Sequence, residues 1–387
     1  MTLWIAGKRT LAAGPVAPAT GSVRAVRATG TTLALAAAAC AMVLVLAVAS
    51  PALADEPAAS GAAPSASSAA TAAAAKAAKP VEITISAAGD CTLGVDSRYN
   101  SVFNGYYNRK GAAYFLKKVR PVFAKDDLTI VNFEGTLTTS KNRANKTFTF
   151  KGPAKHASIL TKGSVEVANL ANNHSRDFGA KGLADTKRTL KKRGIAYCQN
   201  STIAYKTVKG TKVAFLGFNE LSGVTKAQIK AGIKKAKKAK AAIIIVSFHW
   251  GIERDYYPAS VQKKLGRYAI SCGASLVLGH HPHVLQGIEQ YKGRYIVYSL
   301  GNFCFGGNTN PKDKDTMIFQ QTFTVKNGKL TKKDDARIIP CSLSGSKSTN
   351  TFQPRILKGA EKKALVKKMN RLSRGMGVKV ASNGRLR

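Results

Sequence analysis

One repeated feature constrains this chain most: a short, apolar, β-branched run that stops abruptly in glycine or polar residues. "VEITISAAG", "DDLTIVNFEG", "GSVEVANLANN", "TKVAFLGFN", "AAIIIVSFHWG", "ASLVLGHHPH" and "RYIVYSLGNF" all have this form. Runs of this length and composition read as buried strands. Helical stretches such as "AKGLADTKRTLKKR" and "PASVQKKLGRYAISC" lie between several of them. That alternation predicts an α/β fold with strands covered on both faces. Further on, "MIFQQTFTVKNGKLTKKDDARIIPCSL" reads as two strands joined at Asn327-Gly328, so antiparallel strands are expected at the end of the sheet. "EKKALVKKMNRL" reads as a last helix, and the basic tail after it is expected to fray.

The polar residues fall in a pattern of their own. In open α/β sheets, ligands bind beyond the carboxyl ends of the strands. Asp90 follows "ITISAAG", Asn132 and Glu134 follow "LTIV", and Asn173 and His174 follow "VEVANLA". His249 follows "AAIIIVSF", His281 and His283 follow "SLVLGH", and Asn302 follows "YIVYSLG". Any one of these alone is an ordinary polar group at a strand end. Together, carboxylates, imidazoles and an amide oxygen at one edge make a site for a borderline or hard divalent ion. His280 and His156 read as structural histidines.

Charge narrows the partners. The chain has 61 Lys and Arg against 20 Asp and Glu, a formal charge of +41, with a local concentration at "KKAKKAKAA". Such an excess favours anionic partners: nucleic acid, an anionic membrane or cell wall, or an acidic polymer. No zinc-finger spacing, aromatic RNA-binding signature or helix-turn-helix accompanies it, so no specific nucleic acid is expected. Cys91, Cys198, Cys272, Cys304 and Cys341 form no CxxC pair, which argues against a structural zinc cluster. In an exported chain they leave room for one or two disulfides.

Export is the expectation for the N-terminus. Lys8, Arg9, Arg24 and Arg27 precede the uncharged stretch "TTLALAAAACAMVLVLAVAS", and Ala52 and Ala54 follow at small-residue positions. Residues 1–54 therefore read as a signal peptide cleaved after Ala54, or as a retained N-terminal membrane anchor. Residues 55–79 are an Ala/Ser/Pro-rich linker, lacking the large apolar side chains that repay ordering. The main domain is expected over 80–345, and the C-terminal helix and basic tail over 346–387. The bulk of the protein is expected outside the cytoplasm.

"GD", "NFEG", "NNHSRDFG", "HWGIE", "GHHPHV" and "SLGNF" also occur in the order and rough spacing of the CapA family, which the chain resembles over about residues 82–343. These are capsule-synthesis proteins associated with poly-γ-glutamate, similar to calcineurin-type metallophosphoesterases. The resemblance implies an αββα sandwich of two mixed sheets flanked by helices, with a site related to a two-metal centre. By position, Asp90 and His283 would serve one ion, and Asn173, His249 and His281 the other, with Glu134 bridging. His174 matches the general acid. Glu253, Asp177, Asn132 and Asn302 are expected to orient the ligands. The chain departs from the phosphoesterase pattern at Thr92, where that pattern has histidine, and at Glu134, where it has aspartate. Cys91 reads as a small buried hydrophobe.

One or two divalent ions are implied, with Mn, Zn or Fe suited to mixed imidazole and carboxylate ligands. Such a site hydrolyses phosphoesters or the amide of an anionic polymer. The alternative is a non-catalytic polymer-binding or export component. The implied partners are poly-γ-glutamate or a cell-wall polyanion, and membrane-bound capsule synthase components.

Overall fold

The computed structural model describes residues 79–387. The expected export segment and nearly all of the linker lie outside the described residues.

The strands sort into two large sheets. The first runs in the order Arg355–Ile356, Lys329–Ser342, Asp315–Lys326, Val81–Thr92, Leu128–Phe133, Val167–Asn169 and Ala196–Cys198, and Asn302–Phe305 also pairs with Val81–Thr92. The second runs Ile288–Tyr291, Arg294–Val297, Leu276–His280, Ile243–His249, Thr211–Asn219 and Ala204–Val208. Inner pairs are parallel, and antiparallel strands are added at the borders.

Side-chain alternation decides how the layers stack. Ile83, Ile85, Ala87 and Ile130 of the first sheet share a buried cluster with Phe215, Ile245 and Leu278 of the second, so the sheets pack face to face. Ala88, Val131 and Ala168 point the other way. They meet Phe115, Leu160, Leu183 and Leu190, on the helices Ala113–Leu116, Ser158–Lys162 and Gly179–Lys192. On the far side, Leu216, Val246 and Val277 meet Ile229, Ile233, Leu265 and Ala269, from the helices Lys226–Lys238 and Ser260–Cys272. The order is helix, sheet, sheet, helix: the expected αββα sandwich. Each large apolar side chain buried here contributes about 1.5–3 kcal/mol. A one-residue slip would exchange the two faces of a strand, so the apolar pattern also fixes register.

Three details differ from the sequence reading. "RYIVYSLGNF" is two strands: Arg294–Val297 belongs to the second sheet, and Asn302–Phe305 to the first. The chain crosses between sheets at Gly301, whose φ of +68° suits glycine. The Gly301 carbonyl accepts the Asp90 N–H at 2.9 Å, and an added Cβ on Gly89 would lie 1.9 Å from that oxygen. The C-terminal tail does not fray, because Leu386 N–H donates to Ala336 O at 2.9 Å and Val380 sits in the inter-sheet core. Finally, Cys91, Cys198, Cys272, Cys304 and Cys341 are all free thiols, four of them buried within the layers.

The Asn327-Gly328 hairpin forms as expected, with Lys326 paired to Lys329 and both turn residues at positive φ. The last helix spans Gly359–Leu372 and sends Leu365, Val366, Met369 and Leu372 into the inter-sheet core. Among the described residues, no helix is long and apolar enough to cross a membrane.

Candidate metal centre

The carboxyl ends of parallel strands from both sheets meet at one place. Asp90 lies near the end of Val81–Thr92, and Glu134 directly follows Leu128–Phe133. Asn173 and His174 lie on the loop after Val167–Asn169. His249 ends Ile243–His249, and His281 and His283 form the turn after Leu276–His280. That turn is backbone-strained, with His281 at φ +96° and His283 at φ +58°. Non-glycine residues rarely hold such angles unless the surroundings impose them, and sites are where this is usually found.

The six side chains read as ligands converge. Ligand atoms of Glu134, His249 and His281 lie within 4.8 Å of one another, as do those of Asp90, Glu134 and His283. Asn173 Oδ1 and His249 Nε2 are 2.8 Å apart. Two ligands about 2.1 Å from one ion have about that separation. Glu134 belongs to both groups, and its Oε1 lies 3.6 Å from His249 Nε2 and 3.9 Å from His283 Nε2.

Electrostatics tests whether these residues suit a cation. Both Glu134 oxygens are buried without a hydrogen-bond partner, and His281 Nδ1 is buried without one too. A buried, unpartnered carboxylate is costly. Burial and the neighbouring Asp90 charge push the Glu134 carboxyl well above its usual range. Burial also pushes Asp90 up, but His280 and His283 outweigh it and hold Asp90 well below. Burial drives His281 down to about 4 and His249 well below the usual value, each helped by a neighbouring histidine. Burial acts the same way on His283, but Glu134 and Asp90 raise it to about 9. A divalent ion among two carboxylates and three imidazoles relieves these conflicts, and the donor set suits one.

The supporting contacts are specific. The Asn132 amide donates to Asp90 Oδ1 at 2.8 Å and faces His249 Nδ1 at 3.4 Å. Asn302 Oδ1 stands 2.9 Å from His283 Nδ1. Asp177 Oδ2 lies 2.7 Å from His174 Nδ1 and accepts the Phe150 N–H at 2.6 Å. Burial lowers the His174 pKa, opposed by Asp177. His174 Nε2 looks toward the centre, 3.9 Å from Glu134 Oε1. Glu253 is exposed in the cleft beside it. Cys91 is fully buried, its thiol pushed to about 12 by burial. Thr92 Oγ1 is buried and has no partner. His156 is structural, with Nδ1 3.0 Å from Leu93 O. His280 reaches within 3.4 Å of Asp90 Oδ1, without hydrogen-bond alignment.

Sequence reasoning missed several members. Lys146 donates to Asn173 O at 2.9 Å and to Asp177 Oδ1 at 2.8 Å. Asn169 and Asn172 donate to Asn132 Oδ1 at 2.9 and 3.3 Å, which fixes the way its amide points. Phe150 packs on the His174 ring with centroids 4.4 Å apart. Asn169 and Asn172 had a visible signal, since they flank the end of the same apolar run as Asn173. Outside the centre, a cleft of about 440 Å³ is lined by His174, Glu253, His283 and Asn302, with Phe148, Arg254 and Lys312 among its rim residues.

Comparison with known proteins gives the family. The family model described as "Bacterial capsule synthesis protein PGA_cap" matches residues 84–307, more than half of the chain. The PGA biosynthesis protein CapA of Bacillus subtilis (strain 168) is 36% identical over 255 residues, covering 60% of this chain and 66% of that protein. The capsule biosynthesis protein CapA of Bacillus anthracis is 33% identical over 261 residues, covering 60% and 62%. The chain thus matches just under two thirds of the length of these relatives. A crystal structure of a hypothetical protein from Thermus thermophilus aligns with a TM-score of 0.43 at 13% identity, covering 67% of this chain and 99% of that one. By the family match, the chain belongs to the bacterial capsule synthesis protein family, PGA_cap.

Proposed function

We propose that this protein works in poly-γ-glutamate capsule synthesis as an exported, metal-dependent hydrolase at the outer face of the cell membrane. The names of its Bacillus relatives support the pathway. Its charge of +41 supports an anionic polymer as partner, with membrane-bound capsule synthase components beside it. Asp90 and His283 would hold one ion, and Asn173, His249 and His281 the other, with Glu134 shared; Mn, Zn or Fe suits that set. A bound divalent ion supplies Lewis-acid polarisation of an oxyanion and lowers the pKa of water.

The observation that carries the enzyme reading is His174. Its Nδ1 is tied to a carboxylate at 2.7 Å and its Nε2 faces the ligand set, yet it stands outside the groups of ligand atoms that lie within 4.8 Å of one another. An imidazole so held beside the ligands suits proton transfer. Asp177 keeps that ring oriented and favours its imidazolium form against burial. In that form Nε2 carries the proton that His174 would give to the leaving group, returning to neutral with the hydrogen on Nδ1.

The deciding assay runs phosphomonoesters, phosphodiesters and poly-γ-glutamate side by side with added Mn or Zn. Turnover of any one supports the hydrolase. A metal-loaded protein that turns over none overturns it. The reading left is then a polymer-binding or export component, which Arg254 and Lys312 at the cleft rim favour.

A further inference from the structure

Glu253 lies on the loop leaving the Ile243–His249 strand, and two backbone bonds clamp that loop to the histidine turn. Trp250 N–H donates to His280 O at 3.1 Å, and Arg254 N–H donates to Pro282 O at 2.8 Å. Only Gly251, Ile252 and Glu253 span the interval. Gly251 sits at φ +81°, where an added Cβ would meet the Gln262 side chain at 2.5 Å, so the path of the loop is tightly set. The clamp holds a carboxylate oxygen of Glu253 within 4.8 Å of ligand nitrogens on both His281 and His283.

That carboxylate is unspent. Among the described residues it has no hydrogen bond or ion pair, although the chain carries a large excess of Lys and Arg. It faces the cleft beside His174, His283 and Asn302. Asp90 and Glu134 gather at His283 as Glu253 does, so a third acid adds repulsion unless a cation stands among them. Ligand number points the same way. Asp90, Glu134 and His283 are three donors, and divalent ions of this class take four or more.

We infer that Glu253 is a further metal ligand, joining His281 and His283 and so touching both ion positions; this rests on the metal-centre reading above. Its role then exceeds the orienting one its sequence position suggested.

The test uses the full chain, stripped of metal and titrated with Mn²⁺, with free ion followed by electron paramagnetic resonance and bound ion counted by elemental analysis. Glu253→Gln is expected to weaken Mn²⁺ binding by more than the roughly 10–100-fold that loss of an orienting partner costs, and to lower the number of bound ions, with Glu253→Asp in between. A loss within that range at unchanged ion number makes Glu253 an orienting residue and overturns the ligand assignment. Metal-free Glu253→Gln should melt no lower than wild type, because it loses no hydrogen bond or ion pair and relieves repulsion with Glu134. A Gln variant that matches wild type in affinity and ion number overturns the assignment of Glu253 and leaves the centre standing. Wild type that binds neither Mn²⁺ nor Zn²⁺ overturns both.

Discussion

Nδ1 of His174 stands 2.7 Å from Oδ2 of Asp177, while the other oxygen, Oδ1, accepts from Lys146 at 2.8 Å. Both oxygens of Asp177 accept, Oδ2 also from the Phe150 N–H at 2.6 Å, so Nδ1 carries the hydrogen and Nε2 is left for chemistry. His174→Ala is therefore expected to keep its metal and lose rate by roughly 10²–10⁴-fold. His249→Ala should lose metal and turnover together. Asp177→Asn should slow the reaction with metal retained. Steady-state rates paired with metal counts check all three, and an unchanged rate in metal-loaded His174→Ala removes the acid role.

His283 gives a pH signature in metal-free protein. Burial lowers its pKa, but Glu134 and Asp90 raise it to about 9, above the ordinary 6.5. A raised pKa contributes stability that is complete below the unfolded value and lost as pH climbs through the folded one. In EDTA, the gap in melting temperature between wild type and His283→Asn should be widest below pH 6.5 and closed above about 9. Added Mn²⁺ should reopen it at about pH 9, since metal takes the deprotonated ring. A gap that widens with pH in EDTA contradicts this.

Polyanion binding should be broad and salt-sensitive, because the large excess of Lys and Arg, +41 before and +37 after cleavage at Ala54 removes Lys8, Arg9, Arg24 and Arg27, acts largely through counterion release. Poly-γ-glutamate, teichoic-acid-like polymers and DNA should compete. Affinity should fall on the order of tenfold or more between roughly 50 and 200 mM salt. Fluorescence anisotropy across that range is the check, and a flat response rules the mechanism out.

Lys368 ties the C-terminal helix to the cleft. Its ammonium lies 2.8 Å from Asp313 and 2.8 Å from Asp315, and Tyr256 donates to the same Asp313 oxygen at 2.8 Å. Lys368→Met leaves two acids without their shared cation and should cost about 2 kcal/mol. Lys368→Arg should recover most of it. Denaturant unfolding of the three proteins tests this, and equal midpoints for Met and wild type refute it.

The sequence showed the centre where each ligand followed an apolar run, because burial of the strand and exposure of its end leave that written pattern. Asp90, Glu134, His249, His281 and His283 all came from it. Lys146 left no such pattern. It lies on an irregular segment between the two-residue strands Thr136–Leu137 and Lys151–Gly152, held by bonds such as Ala144 N–H to Asp177 O, so its place depends on tertiary contacts. The split of "RYIVYSLGNF" was hidden for a related reason: a change of sheet at one glycine does not interrupt an apolar run.

Both sheets supply ligands. Asp90, Glu134 and Asn173 come from the first; His249, His281, His283 and the proposed Glu253 come from the second. An ion held by both would act as a rivet, since the sheets could not slide apart without breaking its coordination. Loading at a hundredfold excess over Kd adds about 2.7 kcal/mol against unfolding. The proteolytic lifetime of the chain would then follow its divalent-ion supply, metal-free protein being cut faster than loaded protein.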